Sequence, residues 1–229
     1  MIINPNKDAI IIGHPRSGSF WMQSCLPHFN GRETFNTVNF DILRVEGNRF
    51  YLSDFKSVLL DKEQEDKEIA HRIELLKQIT GPKCVKILTF QFQYAHRTEY
   101  NQTIFDWVNA QDADIYWIKR RDKLASFKSL LVADSLGKFV GPIEDQSTRV
   151  NIARLPWLID SWGYHKDDYI RSRINRPIVD VFYEDLLADP EFDKSRTQMV
   201  EQNSTQVNIV NWDEVVANLP NEVKHDLGL

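Results

Sequence analysis

Four short, continuous apolar runs constrain the fold of this chain more than any other feature. They are Ala9–Ile12, Cys84–Phe90, Ile115–Ile118 and Ile178–Phe182. Continuous apolar runs of this length are typical of strands that are covered on both faces, as in a parallel sheet. Helical patterns separate the runs, and strands that alternate with helices favour a layered fold. The sequence therefore predicts a three-layer α/β/α fold with a central, mainly parallel sheet.

The helical pattern is clearest over Asp66–Thr80. Its apolar residues Ile69, Ile73, Leu76 and Ile79 share one helix face, and Gly81 and Pro82 provide a stop signal. The other predicted helices are Ser17–Leu26, Asn101–Gln111, Lys123–Leu136, Pro156–Ser172 and Asp213–Leu219. With no repeat or linker in 229 residues, we expect a single domain over residues 1–229.

Charge and composition exclude some classes of function. The net charge is −5 and no basic block is present, which argues against a general nucleic-acid binder. No apolar run approaches the ~20 residues of a membrane span, and Ala9–Ile12 is too short for a signal peptide. The two cysteines, Cys25 and Cys84, have apolar neighbours and are expected to be reduced. We therefore expect a cytoplasmic protein.

The first apolar run leads into the loop "GHPRSGSFW", which is built like a phosphate-binding loop. Gly13 and Gly18 have the spacing of a nucleotide triphosphatase loop, but Ser19-Phe20 replaces the lysine and the metal-binding hydroxyl. Free amides at the start of the next helix, together with the guanidinium of Arg16, favour an anion site that needs no metal. The alternative is a strand-to-helix turn without a ligand.

A second loop follows the third apolar run, in "IYWIKRRDKLASFKS". Arg121 and Ser129 are eight residues apart, so a helix that begins near Lys123 can turn Ser129 back toward Arg121. An arginine and a hydroxyl at one strand end suit a second phosphate. Taken alone, this segment also fits an ordinary strand–helix junction with solvated charges.

The two loops together resemble those of sulfotransferases that use 3′-phosphoadenosine 5′-phosphosulfate (PAPS). "PRSGSFW" is similar to their 5′-phosphosulfate loop, and "RRDKLA…S" is similar to the 3′-phosphate loop of the bacterial trehalose 2-sulfotransferase group. "SWGYH" and "YEDLLADP" resemble two further family segments, so the matches extend from Ile10 to about Glu191. The resemblance implies a P-loop-like sulfotransferase fold.

The resemblance also implies a set of nucleotide contacts. The amides of Ser17 to Phe20 and the Ser19 hydroxyl would hold the 5′-phosphate, and Arg16 would lie against the oxygen that bridges phosphate and sulfate. The implied cofactor-binding residues are Arg16, Ser17, Gly18, Ser19, Phe20, Trp21, Arg121, Ser129 and Tyr183. Phe20 departs from the family pattern, which has a threonine there, and the C-terminal part lacks the basic Arg-Lys-Gly loop of animal members.

The implied reaction transfers the sulfuryl group of PAPS, without a metal, to a hydroxyl or amine and releases 3′,5′-adenosine bisphosphate (PAP). Arg16 would stabilise the leaving charge. The resemblance favours Glu33 as the general base, with His96 second and His14 third. A carbohydrate is one possible acceptor, but neither the acceptor nor the oligomeric state can be read from the sequence. A metal-dependent kinase or triphosphatase with a divergent loop, and a non-catalytic nucleotide-binding module, remain alternatives.

Overall fold

A computed structural model describes residues 7–19, 22, 36–39, 44–46, 49–51, 62–78, 83–93, 99–137, 146–188 and 206–229. The strands in these ranges are β1 (Asp8–Gly13), β2 (Asn36–Asn39), β3 (Arg44–Glu46), β4 (Arg49–Tyr51), β5 (Lys83–Leu88), β6 (Ala113–Lys119), β7 (Ser147–Thr148), β8 (Ile178–Phe182) and β9 (Asn208–Ile209). The helices are α1 (Lys62–Lys77), α2 (Gln102–Ala110), α3 (Lys123–Leu136), α4 (Leu155–Trp162), α5 (Asp167–Arg173), α6 (Tyr183–Ala188), α7 (Trp212–Ala217) and α8 (Asn221–Leu227).

The main sheet has five strands in the order β2-β5-β1-β6-β8, and every neighbouring pair is parallel. The strands β1, β5, β6 and β8 coincide with the four apolar runs, so the prediction of an α/β fold with a mainly parallel sheet is confirmed. Two small pairs lie outside this sheet, namely the antiparallel β3–β4 and the parallel β7–β9.

The register of the sheet brings three strand ends together. Gly13 at the end of β1 pairs with Leu88 of β5 on one side and with Ile118 of β6 on the other. Parallel strands end at the same edge, and ligands of such sheets bind outside the carboxyl ends of the strands. The segments that follow β1 and β6, which carry both predicted loops, therefore emerge side by side at this edge.

Both faces of the sheet are packed. On one face, Ile10, Ile12 and Trp117 pack with residues of α1, α2 and α5. On the other face, Ile11 and Ile118 belong to a cluster that includes Met22 and the α6 residue Leu186. Burying each such side chain contributes roughly 1.5–3 kcal/mol. Burial on both faces explains why Ala9–Ile12 of β1 and Ile115–Ile118 of β6 are continuously apolar instead of alternating.

Four of the six predicted helices are found within a few residues of their expected bounds, and α3 spans Lys123–Leu136 as predicted. The predicted helix Ser17–Leu26 lies mostly outside the described residues. The prediction of a single helix over Pro156–Ser172 is wrong. Gly163 takes a left-handed conformation (φ +68°) that ends α4, and a 3₁₀ turn at Tyr164–Lys166 precedes α5. The helix α8 is not among the helices predicted from the sequence.

A third apolar cluster joins α3 and α4 to α7 and α8. Within the described ranges, none of the helices combines the length and the apolar character that crossing a membrane requires.

Candidate anion-binding site

The loop after β1 has a backbone shaped for an anion. The N–H of Ser17 donates to the carbonyl of His14 at 3.1 Å, and the N–H of Met22 donates to the carbonyl of Gly18 at 2.9 Å. A tight turn therefore passes directly into a first helical turn. Arg16 (φ +64°) and Gly18 (φ +89°) are left-handed, whereas Ser17 between them is not. Alternation of this kind turns successive N–H groups toward one side, which makes an anion-binding concavity.

Tyr183, the first residue of α6, lies against this loop. A Cβ added to Gly18 would stand 2.3 Å from Cδ2 and 2.9 Å from Cε2 of the Tyr183 ring. The glycine is thus required both by its positive φ and by the closeness of the ring. Because α6 directly follows β8, the packing of β8 against β6 determines where this ring lies.

One hydrogen bond joins the two predicted loops. The Nε of Arg16 donates to the Oγ of Ser129 at 2.9 Å, across 113 residues of sequence. Ser129 is buried in α3, which follows β6, and Ser17 and Ser19 of the first loop are buried as well. The structure therefore brings Arg16, Ser17, Gly18, Ser129 and Tyr183 together at the carboxyl edge of the sheet.

Arg120 is a member of this group that the sequence analysis missed. Its guanidinium lies 4.5 Å from the centre of the Tyr183 ring, and its Nη1 lies 3.5 Å from the backbone carbonyl oxygen of Arg16. Its backbone N–H donates to the hydroxyl of Tyr164 at 3.3 Å. Strand alternation is the signal that would have found it. Tyr116 and Ile118 face the cluster that holds Met22, and Arg120 is the next residue of that parity.

The site is strongly positive. Burial, and secondly the neighbouring charge of Arg120, lower the pKa of Arg16 from its ordinary value to about 10. The guanidinium is still protonated at neutral pH. Two arginine side chains that share a partly buried space repel each other, so an anion at this position would be attracted by both.

Arg121, which the resemblance assigns to the 3′-phosphate, has contacts outside this group of residues. Its Nη1 and Nη2 each lie 2.7 Å from a carboxylate oxygen of Asp185, and its guanidinium stacks 4.3 Å above the ring of Phe182. Hydrogen bonding to Asp185 raises the pKa of Arg121 and lowers that of the carboxyl group. The contacts of this side chain are therefore with α6 and the end of β8 instead of with Arg16 or Ser129.

His14 is fully buried beneath the loop. Its Nδ1 lies 3.2 Å from the Oγ1 of Thr89, and its ring stacks on Tyr164 at 3.7 Å. Its Nε2 lies 2.9 Å from Oδ1 of Asp167, at ion-pair distance but outside hydrogen-bonding angles. These contacts tie the loop to the end of β5 and to α5. They favour a structural role for His14 over that of a base that must meet an acceptor.

Four of the predicted site residues lie outside the described residues, namely Phe20, Trp21, Glu33 and His96.

A cavity of about 350 Å³ lies away from the loop, between α4 and the C-terminal helices, and its lining includes Ile159, Asp160, His165 and Asn218. Within the described ranges, no group of three or more histidine, cysteine or acidic side chains is arranged so that it could hold a metal ion.

The interpretation of this site rests on its own geometry. No protein-family model matches the chain, and a search of curated proteins finds no significant match.

Proposed function

We propose that this protein is a PAPS-dependent sulfotransferase. The observation that carries the proposal is the 2.9 Å hydrogen bond from Arg16 to Ser129. It joins the two loops whose sequences separately suggested a 5′-phosphosulfate site and a 3′-phosphate site. Segments that follow neighbouring parallel strands always emerge at one edge of the sheet, so the support comes from the specific contact between the arginine of one loop and the serine of the other.

The residues present fit such a nucleotide. Two buried polar atoms at the site, the Oγ of Ser17 and the Nε of Arg120, lack a hydrogen-bond partner among the described residues. Buried donors are normally satisfied, so their position favours an anionic ligand with several acceptor oxygens. The guanidinium of Arg16 and the left-handed loop backbone add further donors on the same side.

The proposed assignment follows the loops. Backbone N–H groups from Ser17 to Phe20 and the Ser19 hydroxyl hold the 5′-phosphate. Arg121, once it exchanges Asp185 for the ligand, and Ser129 hold the 3′-phosphate, and Trp21 and Tyr183 lie beside the nucleotide. The proposed fold is the P-loop-like sulfotransferase fold, as one domain over residues 1–229, and the central position of β1 supports it. PAPS supplies the activated sulfuryl group.

The protein contributes charge and proton transfer. Arg16 stabilises the negative charge that develops on the leaving phosphate oxygen, and its protonated state at neutral pH suits an electrostatic role. This requires the guanidinium to exchange Ser129 for the ligand. A base accepts the proton of the attacking hydroxyl or amine, and Glu33 is proposed for it, with His96 second. The acceptor is a small molecule or glycan.

Calorimetric titration tests the proposal directly. Wild-type protein is titrated with PAP, with 5′-AMP and with ATP-magnesium. Binding of PAP with much weaker binding of 5′-AMP is expected, because the 3′-phosphate adds charge-assisted hydrogen bonds. Absence of PAP binding at millimolar concentration would refute the proposal, and magnesium-dependent ATP binding and turnover in that case would indicate a kinase or triphosphatase.

Transfer itself is tested with PAPS and a panel of sugars, lipid head groups and peptides. Arg16→Ala is expected to lower transfer roughly 10²–10³-fold while the protein remains folded. The matched control is Arg176→Ala, which removes an arginine side chain at the opposite edge of the sheet, against Asp112. Tight PAP binding without transfer to any acceptor would identify a non-catalytic nucleotide-binding module instead.

A further inference from the structure

Arg120 differs from five other arginines of the described chain in what surrounds its charge. Arg121, Arg149, Arg154, Arg171 and Arg176 each lie against a carboxylate. Arg120 forms no such ion pair with any described residue, and its Nε is buried without a hydrogen-bond partner. A partly buried guanidinium without a counter-charge is costly, so a protein keeps one where a ligand supplies the charge.

The position of Arg120 indicates which part of a ligand it would meet. Its Nη1 lies 3.5 Å from the carbonyl oxygen of Arg16, within the first loop, and its charge acts directly on the Arg16 guanidinium. The Tyr183 ring, which covers Gly18, supports the guanidinium from one side at 4.5 Å. Arg120 thus contacts the loop after β1, although in sequence it is adjacent to Arg121, the predicted ligand of the 3′-phosphate.

We propose that Arg120 is a second cationic ligand for the anion held by the first loop, which on the proposed function is the 5′-phosphosulfate end of the nucleotide. Arg16 and Arg120 then hold that group from two sides, and the buried hydroxyl of Ser17 lies close to Gly13 at the end of β1. The substrate class that fits is one with at least two negative charges on adjacent groups, such as a phosphosulfate or a diphosphate. Bidentate guanidinium donors suit such a group.

This assignment separates Arg120 from Arg121 experimentally. A ligand of the 5′-group contributes equally to nucleotides with and without a 3′-phosphate, whereas a 3′-phosphate ligand contributes only to the former. Arg120→Gln is therefore titrated with PAP and with adenosine 5′-phosphosulfate, which lacks the 3′-phosphate, and with inorganic pyrophosphate. Affinity for each probe that the wild type binds should fall by a similar factor, roughly 10- to 100-fold, as expected for hydrogen bonds to a charged group.

Two controls test whether a loss of affinity in Arg120→Gln is specific to the binding site. Arg176→Gln makes the same substitution at the opposite edge of the sheet and should bind the probes as the wild type does. Without ligand, Arg120→Gln should melt at or above the wild-type temperature, because a charge that repels Arg16 is removed. Arg120→Lys, which keeps the charge, provides a second variant if the glutamine form does not fold, and should bind more weakly than the wild type because it loses the planar fork.

The outcomes distinguish this inference from the proposed function. Unchanged affinity in folded Arg120→Gln, or a loss confined to PAP, would overturn the assignment of Arg120 while leaving a sulfotransferase possible. Parallel loss for pyrophosphate and adenosine 5′-phosphosulfate, with no transfer to any acceptor, would support Arg120 as an anion ligand and count against the reaction. A wild type that binds none of the three probes would overturn both.

Discussion

Adding one methyl group at Gly18 tests the contact between the first loop and α6. In Gly18→Ala the new Cβ would lie 2.3 Å from Cδ2 of Tyr183, far inside van der Waals contact, and φ is +89°. The left-handed backbone costs an alanine roughly 1–2 kcal/mol, and forcing the ring aside adds roughly 1–3 kcal/mol. The free energy of unfolding should therefore fall by roughly 2–5 kcal/mol, a large part of the ~5–15 kcal/mol of a typical domain.

Gly137→Ala is the matched control. Gly137 is also left-handed (φ +63°), but a Cβ there would meet nothing within 4 Å. Only the backbone cost applies, so the loss should be roughly 1–2 kcal/mol. The difference between the two variants isolates the steric part. Urea unfolding can be followed by fluorescence, since the chain has six tryptophans, and an unchanged m-value would show that the unfolding reaction is the same.

A double-mutant cycle then assigns that steric part to Tyr183. In a Tyr183→Ala background, Gly18→Ala should cost no more than the backbone part, which gives a coupling free energy of roughly 1–3 kcal/mol. The reasoning is refuted if Gly18→Ala costs only as much as Gly137→Ala, or if its full cost persists without the tyrosine ring.

Three further outcomes are expected. Asp185→Asn should raise the affinity for PAP, relative to 5′-AMP, by up to about fivefold in calorimetry, because the carboxylate competes with a 3′-phosphate for Arg121; equal changes for both nucleotides would contradict this. Asn211→Ala should lower the free energy of unfolding by roughly 2–6 kcal/mol, since the amide bonds both the N–H and the carbonyl of Val150 at 3.0 Å in a buried position; a loss below that of an ordinary surface substitution would rule out this role. Burial lowers the pKa of His165 below its ordinary 6.5, so its contribution to stability is fully present above pH 6.5 and is lost as the pH falls through the lowered pKa. His165→Gln should therefore flatten the loss of stability measured by urea unfolding between about pH 8 and pH 5, and an unchanged slope would show that other groups cause it.

The parts of the fold that depend on local signals were predictable. The bounds of α3 follow from Asp122, whose side chain accepts the N–H of Ala125 at 2.8 Å, and from Gly137 at the other end. The strands of the main sheet other than β2 could be predicted because most of their residues are apolar. In contrast, β2 reads "NTVN", which has no apolar run, and its strand character depends on pairing with β5. Pairing of this kind is a property of the tertiary fold.

The residues of the candidate site also fall into two groups, those indicated by local sequence and those that depend on tertiary contacts. Loop chemistry and spacing along the chain indicated Arg16 and Ser129, but the spacing predicted that Ser129 would face Arg121, whereas its Oγ lies against Arg16. It did not distinguish Arg120 from Arg121, because that choice depends on where β6 ends and on where α6 brings Asp185. The role of His14 was left open for a similar reason, since Thr89, Tyr164 and Asp167 surround it only after folding.

The 113-residue separation between Arg16 and Ser129 has a consequence for how the protein matures. Both residues need β1 and β6 to be paired, and the ring over Gly18 needs β8 as well, so the binding surface does not exist until most of the chain has been synthesised. Contacts this distant in sequence form slowly, because a large loop must close first. A ligand that recognises only the completed surface would stabilise it by about 2.7 kcal/mol at a hundred times its dissociation constant. On the proposed function, the nucleotide would therefore raise the folded fraction of this protein.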